Sequence, residues 1–172
     1  SVDLPGGILA RPGDVVLFDG SIYVLELEAA NQGIPGDANV DAVTRLATHH
    51  SQERLVSPIA AWFAVAHATD RGHVPPIRPW IRAVTADGDV VGALLMSEPD
   101  RSHPTPSVWR VMVDRLHQRR GIGERTLDLA TEQARDWGAR ELAISWCDLP
   151  GTAGPLYLAY GFEPTGVNQD GE

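Results

Sequence analysis

Apolar residues in the second half of the chain first follow the period of strands. Short runs rich in β-branched residues lie at 80–85, 90–96, 108–113 and 141–146. Runs of this length and composition are typical of strands. Asp87-Gly88 separates the first two runs, and this dipeptide favours a tight turn between antiparallel strands. The pattern therefore predicts a hairpin followed by two further strands.

Between the last two runs, the hydrophobic period changes to that of a helix. Over 121–137, the residues Leu127, Ala130, Ala134 and Trp137 recur at intervals of three and four. This spacing places them on one face of an amphipathic helix. Gly138 follows, and glycine commonly ends helices. We expect one helix here, connecting two parallel strands.

Weaker patterns predict the remaining elements. We expect a strand at 22–27, helices from 39 or 41 to about 49 and at 57–69, a short helix at 152–160, and a last strand at 162–167. Residues 1–20 are interpreted as an N-terminal extension, and residues 21–172 as one domain. The short apolar run 15–18 of the extension is a candidate to add a strand at the C-terminal end of the sheet.

Composition narrows the classes of function. The chain has 172 residues, of which 43% are hydrophobic and 22% charged, which is typical of a globular domain. It has no long apolar run and no basic leader, so we expect no membrane association and a cytoplasmic location. All 14 basic residues are Arg, which excludes a Walker-type phosphate loop and Schiff-base chemistry. The net charge of −9 argues against nucleic-acid binding and favours a cationic substrate.

The turn at 118–123 carries the clearest chemistry. It reads Gln-Arg-Arg-Gly-Ile-Gly and connects the strand at 108–113 to the long helix. The first turn of a helix has backbone N–H groups without intrahelical partners, and the helix dipole adds positive charge there. Glycine lets the main chain approach an anion, and Arg side chains can add charge-assisted hydrogen bonds. We expect a pyrophosphate site.

A Rossmann dinucleotide site begins in the same way and is the alternative interpretation of this turn. It needs a third glycine where this chain has Thr126. It also needs an acidic residue at the end of the next strand, whereas Glu141 stands at its beginning. The Rossmann interpretation therefore fails.

Two segments resemble the GNAT superfamily of acyl-CoA-dependent N-acyltransferases. Val111-Met112-Val113, four further residues, and then Q-x-x-G-x-G are similar to its motif A, and 156–162 is similar to its L-Y-x-x-x-G-F segment. The resemblance extends over about 21–172. Residues 51–56, Pro79-Trp80, Trp109-Arg110 and 162–166 further resemble the spermidine/spermine (diamine) acetyltransferase branch.

The resemblance implies an α/β fold with a mixed, mostly antiparallel sheet and helices on both faces. It also implies acetyl-CoA as co-substrate, without a metal. The arm of the coenzyme would pair with the strand, and its diphosphate would lie on the turn. The implied coenzyme residues are Val111, Met112, Val113, Gln118, Arg119, Arg120, Gly121, Ile122, Gly123 and Glu124. Pro150 replaces an Asn that contacts the coenzyme arm in many members.

The resemblance implies direct transfer of an acetyl group to a primary amine. Tyr157 matches the family position of the general acid. Glu98, or else His103, is the candidate for the base that accepts the proton of the amine. A small, polyamine-like cation is the first expectation for the acceptor. An antibiotic amine, a protein N-terminus, and a non-catalytic acyl-CoA sensor stay open, as does a homodimer.

Overall fold

The structure is a computed structural model. It describes the chain over the ranges 14–16, 22–29, 38–53, 57–64, 77–146 and 149–166.

The described strands form one sheet in which spatial order equals chain order. They are β1 (Asp14–Val16), β2 (Ile22–Ala29), β3 (Arg78–Ala86), β4 (Asp89–Glu98), β5 (Ser107–Val113) and β6 (Ala143–Ile144). Neighbouring strands are antiparallel, except that β5 and β6 are parallel. The predicted mixed, mostly antiparallel sheet is confirmed.

Helices cover both faces of this sheet, as predicted. They are α1 (Ala38–Thr44), α2 (59–64), α3 (Ile122–Asp136) and α4 (Gly154–Tyr160), with a 3-10 turn at His50–Gln52 between α1 and α2. One apolar cluster joins α1 and α2 to Ile81 and Leu95, and the other joins α3 to Val84 and Leu94. Consecutive side chains of a strand point to opposite faces, so β3 and β4 contribute to both clusters.

The hairpin and the long helix lie where the sequence predicts them. Asp87 and Gly88 have φ angles of 52° and 85°, the left-handed conformations that a type I′ turn requires. Helix α3 has Gly121 as its N-cap and Trp137 as its C-cap. Trp137 packs edge-on against Trp80 of β3, with ring centroids 5.3 Å apart.

A β-bulge in β5 changes the faces on which its residues lie. Leu95 of β4 pairs with Arg110, but the next residue, Met96, pairs with Val108, so Trp109 is the extra residue. Trp109 packs in the same cluster as Leu95, and the residue opposite Leu95 shares its face. Strict alternation predicts opposite faces for Trp109 and Arg110. That prediction is wrong, because the bulge puts both on the side of α1 and α2.

Several predicted boundaries differ from the structure. Helix α1 ends at Thr44 instead of about 49, and β6 is limited to Ala143–Ile144. The range 162–166 contains no strand. Gly161, with φ 116°, ends α4 just before this range. Pro164 has no N–H that could donate a hydrogen bond to a neighbouring strand. Strand β1 pairs with β2, at the edge far from β6, so the run at 15–18 does not extend the C-terminal end of the sheet. Residues 65–69 and 167, which complete two predicted elements, lie outside the described ranges.

Candidate active site

The first turn of α3 presents unpaired backbone N–H groups. Its first hydrogen bond within the helix runs from the Arg125 N–H to the Gly121 carbonyl, at 3.0 Å. No side chain caps the helix at Gly121, which has φ 79°. Within the described part of the chain, the N–H groups from Arg119 to Glu124 have no acceptor. This turn can therefore bind an anion through its backbone.

The side chains around this turn leave it open. Arg119, Arg120 and Glu124 are exposed, whereas Ile122 is buried and anchors the helix in the core. Arg119 has φ 63°, so a residue with a Cβ adopts the left-handed conformation two residues before Gly121. Such backbone strain persists only where the surrounding structure fixes it.

Gly123, in the first turn of α3, lies close to both α4 and β5. A Cβ at this position would lie 3.4 Å from Leu156 Cδ2 and 3.9 Å from Val113 Cγ2. The turn therefore lies between the end of β5 and the beginning of α4, and the two segments that resemble the GNAT motifs meet in space.

Strand β5 has an open edge next to this turn. Among the described residues, only Ser107 and Val108 of β5 pair with β6, so Trp109 to Val113 extend beyond that neighbour. The Asp114 N–H donates to Val91 O at 2.8 Å, toward β4. Main-chain groups of an antiparallel strand alternate between its two neighbours. The groups of Met112 therefore face Ala93, its partner on β4, and those of Val111 and Val113 face the open edge.

This register bears on the implied coenzyme contacts of β5. The resemblance implies contacts at Val111, Met112 and Val113, with the arm pairing to backbone groups near Met112 and Val113. The backbone of Met112 is turned toward β4, and its side chain is buried in the core. An added strand could pair with Val111 and Val113 alone.

The side chain of Gln118 bonds to the protein itself. Its Nε2 donates to Val113 O at 3.0 Å and to Gln52 Oε1 at 3.1 Å. Asp114 forms a second connection to the segment after α1, because its Oδ2 accepts the Ala47 N–H at 3.1 Å. The loop that carries the turn is thus fixed to the connector between α1 and α2.

Tyr157 lies in an aromatic pocket with its hydroxyl unpaired. Its side chain is only 6% exposed and packs edge-on against Trp146 and Phe162, with centroid distances of 5.8 and 6.2 Å. Its hydroxyl has no hydrogen-bond partner among the described residues. Burial raises the pKa of Tyr157 to about 12, so the phenol stays protonated at neutral pH.

Tyr160, one turn further along α4, has a structural role. Its hydroxyl donates to Asp128 Oδ1 at 2.8 Å and lies 3.3 Å from Thr131 Oγ1. Both partners belong to α3. Tyr160 therefore holds α4 against α3.

The two candidate bases lie near the end of β4. Glu98 is paired in register with Arg78. Burial lowers the pKa of Arg82, and the negative charge of Glu98 offsets part of this decrease. His103 Nδ1 is buried and lies 3.4 Å from Asp100 Oδ1, but without the geometry of a hydrogen bond. The backbone N–H of His103 instead donates to Asp100 at 2.7 Å and lowers the pKa of that carboxyl group.

Other candidate residues form no site in the described ranges. His50 pairs with Glu53 at the surface, at 2.9 Å. No group of three His, Cys, Asp or Glu side chains there could hold a metal ion. No helix there is long and apolar enough to span a membrane. Pro150 is exposed, and Cys147 lies outside the described residues.

Sequence reasoning missed three residues that shape the site. Gln52 and Asp114 act through hydrogen bonds across 66 and 67 positions of the chain, which no local pattern indicates. Gly92 is required because a Cβ there would lie 2.5 Å from Met112 O. An isolated glycine inside an apolar strand run is the one signal that could have suggested such a close approach.

Comparisons with known proteins agree with this geometry. A sequence model of the Acetyltransferase (GNAT) family matches residues 43–162. Probable N-acetyltransferase 14 of Bos taurus is 41% identical over 59 residues, which are 34% of this chain and 28% of that protein. The match thus spans little more than a quarter of the length of that relative.

Solved structures share the fold. The GNAT domain of S. lividans PAT superposes with a TM-score of 0.61 at 17% identity, covering 92% of this chain and 91% of that chain. AAC(6')-Iy, in complex with the bisubstrate analog CoA-S-monomethyl-acetylneamine, superposes with a TM-score of 0.57 at 17% identity, covering 84% and 93%.

The fold and the open turn define an acyl-CoA N-acyltransferase architecture. The mixed sheet contains β5, which has an open edge, and β5 is followed by α3, whose first N–H groups are unpaired in the described residues. The matched structures have the same fold. Because the family match covers most of the sequence, the chain belongs to the GNAT family of acetyltransferases.

Proposed function

We propose that this chain transfers the acetyl group of acetyl-CoA to a primary amine of a small cationic acceptor. The observation that carries the proposal is the pair of adjacent subsites. In the described part of the chain, the N–H groups at the start of α3 lack acceptors, and the neighbouring edge of β5 lacks a strand partner from Trp109 onward. Coenzyme A has a diphosphate for the first subsite and an amide-containing arm for the second.

Each part of the coenzyme has groups that fit it. The diphosphate would accept hydrogen bonds from the N–H groups of residues 119–124 and charge-assisted bonds from Arg119 and Arg120. The arm would pair with Val111 and Val113, as an added strand does. Glu124, which is exposed, can keep its charge in solvent.

The reaction needs one hydrogen-bond donor at the carbonyl oxygen and one at the sulfur. The neutral amine attacks the thioester carbon, and the C–S bond then breaks, with its electron pair leaving on sulfur. An outward N–H of β5 would stabilise the oxyanion. Tyr157 would donate to the leaving thiolate. Full proton transfer from a phenol of pKa about 12 to a thiolate, whose thiol has a pKa of about 8.5, is unfavourable. The nitrogen proton therefore becomes the proton of the product thiol.

A base must still deprotonate the ammonium form of the acceptor. Leu95 lies opposite the bulge, and Glu98 lies three residues further along β4, a distance of about 10 Å. It would therefore act through water, as would His103. If Glu98→Gln removes the acidic limb of the pH–rate profile and His103→Gln leaves it, Glu98 is the base; the reverse result assigns His103.

The acceptor is proposed from charge and resemblance. A net charge of −9 attracts cations, and several segments resemble polyamine acetyltransferases. The runner-up, an antibiotic amine, is supported by the shared fold of AAC(6')-Iy bound to its acetylneamine analog. A protein N-terminus is a third candidate.

A panel of amines tests the proposal. Acetyl-CoA-dependent thiol release should occur with spermidine or a diamine and be faster than with neamine or an N-terminal peptide. Faster turnover of neamine or of the peptide would refute the polyamine assignment alone. Tight binding of coenzyme A without turnover of any amine would instead indicate a sensor domain, and absence of binding would refute the proposal altogether.

A further inference from the structure

The NH₂ group of Gln118 makes two hydrogen bonds within the protein. Both of its N–H bonds are used, one toward Val113 O and one toward Gln52 Oε1. A backbone carbonyl can only accept, so the group facing Val113 O must be the NH₂ of Gln118. The atom of Gln52 that faces the same NH₂ must then be its oxygen. The hydrogen bonds therefore fix the orientation of both amides.

These bonds join three parts of the proposed site. Val113 ends the open edge of β5, Gln118 begins the turn that leads to α3, and Gln52 ends the 3-10 turn between α1 and α2. Two further bonds join the same segments, because Ala47 donates to Asp114 Oδ2 and accepts from the Arg115 N–H at 2.8 Å. The connector between α1 and α2 thus holds the loop after β5 at several points.

We propose that Gln52 and Gln118 are positioning residues that set the distance between the two coenzyme subsites. This inference rests on the proposed function, because the subsites are those of the coenzyme arm and the diphosphate. Gln118 acts through Val113 and the turn, and Gln52 acts through Gln118. Gln118 uses one of the two lone pairs of the Val113 carbonyl, which faces the same edge as the Val111 carbonyl.

A role in spacing has a distinctive signature in ligand binding. The distance between the two subsites affects the affinity only of a ligand that occupies both of them. Coenzyme A occupies both, whereas ADP carries the diphosphate without the arm. Loss of the Gln52–Gln118 pair should therefore weaken the binding of coenzyme A and leave the binding of ADP nearly unchanged. Loss of a residue that contacts the phosphates directly would weaken the binding of both ligands equally.

The test uses Gln52→Met, Gln118→Met and the double variant. Methionine keeps the length of the side chain and removes its amide. Calorimetry should show roughly 3- to 10-fold weaker binding of coenzyme A for each single variant, the effect of one or two lost neutral hydrogen bonds. The affinity for ADP, measured by competition, should change by less than about 2-fold. Gln133→Met, the same substitution far along α3, should change neither.

The double variant shows whether the two residues act together. If Gln52 acts through Gln118, adding Gln52→Met to Gln118→Met causes no further loss. An undiminished second loss, an equal loss of ADP binding, or unchanged binding of coenzyme A in both single variants would overturn the inference. A wild-type protein that binds neither ligand would overturn the proposed function, and the inference with it.

Discussion

The substitution Tyr157→Phe removes one oxygen atom and keeps the ring packing against Trp146 and Phe162. The lost hydroxyl has no partner among the described residues, so no hydrogen bond within them is broken. The hydroxyl is not among the completely buried side-chain atoms that lack a partner, so solvent still reaches it. We therefore expect the free energy of unfolding to change by less than about 1 kcal/mol.

Turnover should fall in the same variant. If Tyr157 donates a hydrogen bond to the leaving thiolate, the lost interaction is one with a charged group, about 1.5–3 kcal/mol. This corresponds to a decrease of roughly 10- to 150-fold in kcat. Affinity for acetyl-CoA should change much less, because the thiolate charge develops only as the C–S bond breaks.

Tyr160→Phe is the matched control. It breaks the 2.8 Å bond to Asp128, so it should cost about 1 kcal/mol of stability and leave kcat within about 2-fold. The assays are urea unfolding, thiol release under saturating substrates, and calorimetry with acetyl-CoA in the absence of an acceptor amine. Unchanged kcat in Tyr157→Phe, or a stability loss as large as that of Tyr160→Phe, would refute the reasoning.

Three further predictions follow from the same structure. Gly92→Ala puts a Cβ 2.5 Å from Met112 O, so urea unfolding should show a loss of about 1–3 kcal/mol; wild-type stability would contradict the close approach. Arg119→Ala and Arg120→Ala should each raise the KM for acetyl-CoA by roughly 3- to 10-fold, and this increase should be smaller at high salt. Arg140→Ala, at an exposed position elsewhere, should leave the KM unchanged. An increase that does not depend on salt would contradict an electrostatic contact. Because the pKa of Tyr157 is raised to about 12, its neutral form favours the fold fully below about pH 10, and this contribution is lost as pH rises toward 12. Wild-type protein should thus lose more stability than Tyr157→Phe between about pH 9 and pH 11, and equal losses would contradict the shift.

Features set by neighbouring residues could be predicted from the sequence. The hairpin depends on Asp87-Gly88, and the boundaries of α3 depend on Gly121 and Gly138, each of which has a left-handed φ in the structure. The unpaired N–H groups of the turn are likewise a local property, because every helix start has them. Hence the local sequence is sufficient to predict an anion site at this turn, without any contact between distant segments.

Features set by pairing between distant segments could not be predicted in this way. A strand pattern gives the face of each residue only while the ladder is regular, and the bulge at Trp109 breaks that condition. The same register turns Met112 away from the coenzyme edge and leaves Val111 and Val113 facing it. The connection from Gln52 to Gln118 spans 66 positions. The sequence therefore predicts where an anion would bind, while the distance from that turn to the open edge of β5 depends on contacts that only the folded chain creates. We expect substitutions at Arg119 and Arg120 to change affinity for every phosphate ligand, and substitutions at Gln52 and Gln118 to change affinity for the complete coenzyme alone.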